Sequence, residues 1–212
     1  MTLDKLSQLL GQTPFTFMGE ETAFRSAVLL PLIRLGDEWH VLFEIRSAKL
    51  HKQPGDISFP GGRIDPEDPS PLAAAVRETA EELQLACERI RVLGALPPYV
   101  TSASFVIYPF VGVVDYDPTS RSFNRDEVAD VFTIPVRWLL AYEPYVHVVP
   151  MKPTPGEDFP YDKIVNGREY QWRSRNTQQW FYDYENHTIW GLTARILKHF
   201  TDLLRNGSEN LL

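Results

Sequence analysis

Two apolar runs stand near the start of the chain, at 27–35 (AVLLPLIRL) and 39–45 (WHVLFEI), separated by Gly36-Asp37-Glu38. Both are rich in β-formers and the break carries turn residues, so they predict a hairpin. A short strand at 57–59 is expected to stop at Gly61-Gly62. The pattern then changes period. Leu72, Val76, Thr79 and Leu83 share one stripe of a helical wheel, with Ser70 placed to cap and Pro71 at the first helical position. That helix is expected to run to Leu83 or Leu85. Strands are predicted at 91–96, 105–114 and 145–149, and a short helix at 135–141. Residues 152–160 hold three prolines and a glycine and read as loop. Asn166-Gly167 predicts a second hairpin between 161–165 and 168–172. Segments 179–184 and 187–190 are expected to extend the sheet, and 191–204 to close the chain as an amphipathic helix. Leu3, Leu6, Leu9 and Leu10 give the first ten residues helical spacing as well. Strands and helices interleave without regular βαβ alternation, which predicts an α+β sandwich. The expected organisation is a helical extension at 1–22, one domain at 23–206 and a tail at 207–212.

Composition narrows the class. The 212 residues are 43% hydrophobic and 23% charged, with 21 Lys+Arg against 28 Asp+Glu and a net charge of −7. An acidic chain without a basic block is poorly suited to gripping nucleic acid. The single cysteine, Cys87, allows no internal disulfide and suggests no cysteine zinc site. No apolar run reaches the ~20 residues of a spanning helix. The reading is a soluble cytoplasmic protein with neither nucleic-acid nor membrane partners.

The chemistry concentrates in FPGGRIDPEDPSPLAAAVRETAEELQL, residues 59–85. On the wheel, Glu78, Glu81 and Glu82 project away from the apolar stripe. Like charges at i, i+3 and i, i+4 cost an isolated helix about 0.2–0.5 kcal/mol per pair, a cost that a cation between them removes. Oxygen clusters of this kind suit Mg2+ or Mn2+. Arg77 lies beside them and can orient a carboxylate. Gly62 permits a close approach of backbone to a metal or phosphate.

The segment resembles the Nudix box: glycine, five residues, glutamate, seven residues, then Arg-Glu-apolar-x-Glu-Glu-x-Gly-apolar. Here Gly62 and Asp68 take the first two places, eight residues follow, and Arg77-Glu78-Thr79-Ala80-Glu81-Glu82-Leu83-Gln84-Leu85 completes the run. The departures are Asp68 for glutamate, one extra residue, Thr79 at an apolar place and Gln84 for glycine. The resemblance implies a Nudix-type α/β/α sandwich with a mixed β-sheet over 23–206. It also implies hydrolysis of a diphosphate with Mg2+ or Mn2+. Glu78 and Glu82 would be principal metal ligands, assisted by Glu81 and the Gly62 carbonyl.

Upstream, Arg46-Ser47, three residues, His51, three residues, Gly55, three residues and Phe59-Pro60-Gly61-Gly62 is similar to the motif of coenzyme A pyrophosphatases within that family. His51 stands where the motif has arginine, and the extra box residue also occurs in that group. The end, Ile189-Trp190-Gly191-Leu192-Thr193-Ala194, is similar too. The implied reaction turns coenzyme A or an acyl derivative into 3′,5′-ADP and the 4′-phosphopantetheine part. Arg46, Lys49, His51 and Lys52 form a local basic cluster, and Arg46 is suited to a bidentate phosphate contact. Arg46, Lys49, His51 and Gly61 are the candidate substrate contacts. For the base, Glu81 beside the metal pair and Glu127 in a polar turn are both open, with Arg77 in support. The late aromatics, Trp172, Trp180, Phe181, Tyr182, Tyr184 and Trp190, read mostly as core or cross-strand pairs. A homodimer is an expectation from the family. Another diphosphate, such as an ADP-sugar or dinucleotide, and a nucleotide-binding module without catalysis are the alternatives.

Overall fold

The computed structural model describes residues 2–11, 19, 22–101 and 105–209. After helix α1 (Leu3–Gly11), the first hairpin forms as the hydrophobic pattern requires. Strands β1 (Phe24–Leu35) and β2 (Glu38–Arg46) meet at a turn in which Leu35 faces Glu38 and Gly36 takes φ +60°. Next come β3 (Ile57–Ser58), β4 (Gly61–Arg63) and helix α2 (Pro71–Glu82). The Ser70 hydroxyl accepts from the Ala73 amide and Pro71 opens the helix, satisfying an otherwise orphaned donor of the first turn. The chain continues through β5 (Ile90–Ala95), β6 (Tyr99–Val100), β7 (Phe105–Val114), β8 (Val128–Pro135) and helix α3 (Val136–Ala141). It ends with β9 (Tyr145–Met151), β10 (Arg175–Tyr184), β11 (His187–Trp190) and helix α4 (Gly191–Glu209).

The architecture is α+β. The main sheet runs β3-β2-β1-β7-β5, with β4 and β6 added on β1 and β7 and β8 on β2. It is mixed: β1 pairs β7 in parallel and β2 antiparallel. Because β1 is central and covered on both faces, its middle, residues 27–33, is continuously apolar rather than alternating. Leu29, Ile33 and Leu42 pack with Ala80 and Leu83 of α2 on one face. Leu30, Val41 and Phe43 pack with Tyr182, Ile189, Leu197 and Phe200 on the other. Adjacent residues thus serve opposite layers, as the strand period of two demands.

Several expectations change. Gly61-Gly62 does not end a strand; it is one, pairing with Val28 and Ala27 of β1. Segments 179–184 and 187–190 do not extend the main sheet but form a second one, β11-β10-β9. The Asn166-Gly167 hairpin is replaced by two short 3-10 turns, Tyr161–Lys163 and Gly167–Glu169. Both turn residues do take positive φ, +69° and +49°. The flanks are mostly exposed, so no buried face fixes a register for strands there. Strand β8 escapes the periodicity reading because its apolar residues serve both covered layers. The late aromatics divide: Tyr182 is fully buried, whereas Trp172 and Trp190 stay substantially exposed. Phe181 stacks on Trp190 across β10 and β11, with centroids 6.2 Å apart. Of the expected tail at 207–212, residues 210–212 lie outside the described residues, as do 1, 12–18 and 20–21 of the N-terminal extension. Among the described residues no helix is long and apolar enough to cross a membrane.

Candidate active site

The carboxylates of α2 do not all face water. Ala75, two turns before Glu82, is completely buried, and Thr79, Ala80 and Leu83 join it against the sheet. Small alanines let α2 lie close, so the buried face turns past the expected stripe. Leu72 is left 37% exposed, and Glu82 is drawn in to 4%. There its Oε2 accepts the Gly61 N–H at 2.8 Å. The Glu78 side chain is mostly covered and packs on Gly62. A Cβ on Gly62 would stand 2.5 Å from the Glu78 carboxyl carbon, so any larger residue would displace that carboxylate from its present place. Glu81 is the exposed member of the three.

Arg77 organises the outer side. Its Nε and Nη2 bind the two Asp68 oxygens at 3.0 and 2.8 Å, a bidentate fork. Its Nη1 lies 3.0 Å from Glu78 and 3.3 Å from Glu81, and Nη2 donates to the Arg63 carbonyl at 3.4 Å. The aspartate in the box's glutamate place therefore makes the bidentate contact with its shorter side chain. That contact holds the Asp68 carboxyl below the usual range. A carboxyl with a depressed folded pKa contributes stability above its unfolded value near 4 and loses it as pH falls through the folded one. Asp68→Asn should therefore lower unfolding free energy at pH 7 and flatten its decline between pH 5 and pH 3. Urea melts across that range provide the check, and an unchanged acid slope would remove Asp68 from the account.

A fourth carboxylate, outside the motif, joins them. Glu44 of β2 is 2% exposed, and its Oε1 has no hydrogen-bond partner among the described residues. It lies against Glu82, with Arg46 as the nearby compensating charge. Glu127 is close enough to be felt by Glu44, Glu78 and Glu82. Burial, reinforced by neighbouring carboxylates, pushes Glu44 and Glu82 well above the ordinary carboxylate range. Burial also raises Glu78, against the pull of Arg77. The signal for Glu44 was available: an acid inside VLFEI, a run otherwise apolar on both faces.

Strand β2 ends by bonding two loops at once. The Arg46 amide donates to Asp56 at 2.9 Å and the Ser47 amide to the Glu127 carbonyl at 2.8 Å. These bonds carry the 47–60 loop and Glu127 to the carboxylate end of the sheet. Between them and the first turn of α4 opens a cavity of about 330 Å3, lined by Arg46, Ser58, Gly61, Gly62, Phe105 and Trp190 among others. Arg46 Nε and Ser58 Oγ are buried there without hydrogen-bond partners among the described residues. Of the remaining candidates, Lys49 reaches away to Asp126 at 2.7 Å, and His51 is exposed; neither lines the cavity.

Among the described residues no set of three or more His, Cys, Asp or Glu side chains is already gathered around one point. Mg2+ does not require such a cage; it commonly takes one or two carboxylates and completes its shell with water and substrate phosphate. The donors fit a hard cation. Glu44 offers an unused buried oxygen, Glu78 and Glu82 flank the glycine pair, and all are oxygen ligands.

Known proteins resemble this chain over much of its length. The NUDIX domain matches residues 23–151. A protein of Citrobacter koseri named uncharacterized Nudix hydrolase NudL is 32% identical over 82% of this chain and 79% of its own length. The mouse peroxisomal coenzyme A diphosphatase NUDT7 is 36% identical over 63% of this chain; the match spans 55% of that protein. A MutT/nudix family protein from Enterococcus faecalis aligns with 97% of this chain and 70% of its own, at 14% identity and a TM-score of 0.49.

Proposed function

The chain belongs to the Nudix hydrolase family, and from that premise we propose that it hydrolyses the diphosphate of coenzyme A or an acyl derivative. The products are 3′,5′-ADP and the (acyl-)4′-phosphopantetheine. The observation that carries this reading is the cavity beside the glycine pair. There Arg46 holds an unpaired buried donor, at the place where the sequence resembles the coenzyme A motif. The relation to a protein named for coenzyme A supports the same choice.

Each residue has a role in this reading. Nudix hydrolases use divalent cations such as Mg2+ or Mn2+, and a cation held by Glu78 and Glu82, with the Gly62 carbonyl, would neutralise the diphosphate and polarise the phosphorus under attack. Arg46 and the Gly61 edge orient the diphosphate. Arg77 fixes Glu78 through its fork to Asp68. Glu127 is the better placed of the two candidate bases. Its charge is felt by both buried carboxylates, Glu44 and Glu82, whereas Glu81 is mostly exposed and bonded to Arg77. Water adds to one phosphorus, the bridging P–O bond breaks, and the water's proton goes to that base. Cytoplasmic residence and a homodimer belong to the same reading.

The test is turnover of coenzyme A against ADP-sugars and dinucleotides with Mg2+ or Mn2+, products identified by mass. Cleavage of coenzyme A to the two named products with the highest kcat/KM is expected. An inert coenzyme A beside a rapidly cleaved nucleotide would transfer the reading to that substrate; tight binding without any cleavage would make this a binding module.

A further inference from the structure

Phe24, at the start of β1, keeps 44% of its surface exposed and carries two cations on its ring. Lys52 Nζ stands 5.7 Å and the Arg63 guanidinium carbon 5.5 Å from its centroid. Both side chains are exposed, and neither makes an ion pair among the described residues. Eight other cations of this acidic chain, Arg34, Lys49, Arg77, Arg89, Arg121, Arg137, Lys198 and Arg205, do pair with carboxylates. Two like charges sharing one ring repel, and an anion between them reverses the sign of that interaction.

Neither Lys52 nor Arg63 lines the cavity itself, and Arg63 lines a separate depression with Asp65 and Asp68, but the pair adjoins the cavity through its neighbours. Phe105, which lines it, packs on Phe24 with centroids 5.2 Å apart. Gln53 and Gly62, next in sequence to Lys52 and Arg63, line it too. A ligand whose diphosphate lies along Gly61 and Gly62 therefore has Lys52 and Arg63 beside its path outward. We propose that Lys52 and Arg63 form a subsite for a phosphomonoester borne by the substrate apart from its diphosphate. It rests on the coenzyme A reading, in which the ribose 3′-phosphate is that group. The subsite selects the 3′-phosphorylated substrate over its dephosphorylated form. Arg195 is the rival reader. It lines the same cavity without a carboxylate partner, but it lies over Tyr99 at 5.0 Å and donates to the Gln178 carbonyl at 2.5 Å.

The experiment compares coenzyme A with dephospho-coenzyme A for the unaltered enzyme, the Lys52→Ala/Arg63→Ala double variant and Arg195→Ala. Loss of two charge-assisted contacts should lower kcat/KM for coenzyme A about 10- to 100-fold, through KM, and leave dephospho-coenzyme A within about threefold. Both side chains are exposed and the Arg63 group that binds Arg77 is its backbone carbonyl, so neither truncation removes a core contact; a thermal melt in parallel verifies the fold. A coenzyme A preference that survives the double variant, or that vanishes only in Arg195→Ala, overturns the subsite. Turnover of neither compound by the unaltered enzyme overturns the coenzyme A reading itself, and the subsite with it.

Discussion

Glu82→Gln is expected to lower kcat by about 10²–10³-fold, the range seen when one preorganised electrostatic group leaves a water-poor site. The substitution keeps the shape. The amide oxygen can still accept the Gly61 N–H that Oε2 accepts now at 2.8 Å. That choice turns the NH2 toward Glu44 and the cation position, replacing an anion by a donor that repels a metal ion. Fold stability moves the other way. Glu82 is 4% exposed and crowded by other acids, so a neutral amide there avoids the cost of burying or protonating a carboxylate and leaves metal-free protein as stable or more so. Glu81→Gln is the internal comparison. Its carboxylate is mostly exposed and its visible bond goes to Arg77, so a loss under about tenfold is expected from an electrostatic contact screened by solvent. Turnover at saturating Mn2+, with melting temperatures in EDTA, separates the two. Near-normal kcat in Glu82→Gln would remove the buried carboxylate from the reaction. Equal losses at 81 and 82 would mean that burial does not distinguish them.

That contrast shows how far a sequence carries a site. Arg77, Glu78, Glu81 and Glu82 are legible because a helix places them at fixed spacing and the glycine pair precedes them at fixed distance. Their unequal burial is not legible. It depends on how closely Ala75 and Ala80 let α2 approach the sheet, a three-dimensional matter of packing against Ala27 for the first and against Leu29 and Leu42 for the second. Glu44 sits fifteen residues before the motif's Phe59 and meets Glu82 only because β2 and α2 end at the same edge. Lys49 failed as a cavity residue for a similar reason: Asp126, far along the chain, claims its ammonium. The first hairpin and α2 were predictable because each has both a local turn or cap and a periodic apolar face. Asn166-Gly167 had only the turn, and positive φ alone did not make strands.

The glycine pair should separate folding from chemistry when each glycine is changed to alanine. Gly61 has φ +144°, and a Cβ there would lie 2.3 Å from the Ala27 carbonyl oxygen and 2.6 Å from the Val28 Cα. Those obstacles are backbone atoms of β1, so relief requires breaking the β1–β4 pairing. Gly61→Ala should cost about 3–5 kcal/mol, a combination of backbone strain and overpacking. For a chain of this size that is a fall in melting temperature of about 10 °C or more. Gly62 meets a different obstacle. Its Cβ would collide with the Glu78 carboxyl group at 2.5 to 2.6 Å, the free end of a flexible side chain that can swing away. Gly62→Ala should therefore lose less than about 2 kcal/mol of stability. It should nevertheless lower kcat by about 10²-fold, because the displaced carboxylate no longer faces the cation position; a 1 Å misplacement can cost that much. Denaturant melts and steady-state kinetics on the two variants decide it. A Gly62→Ala enzyme with normal turnover would show that the Glu78 position is not needed for chemistry. A Gly61→Ala protein as stable as its parent would show that β4 does not depend on the close backbone approach to β1.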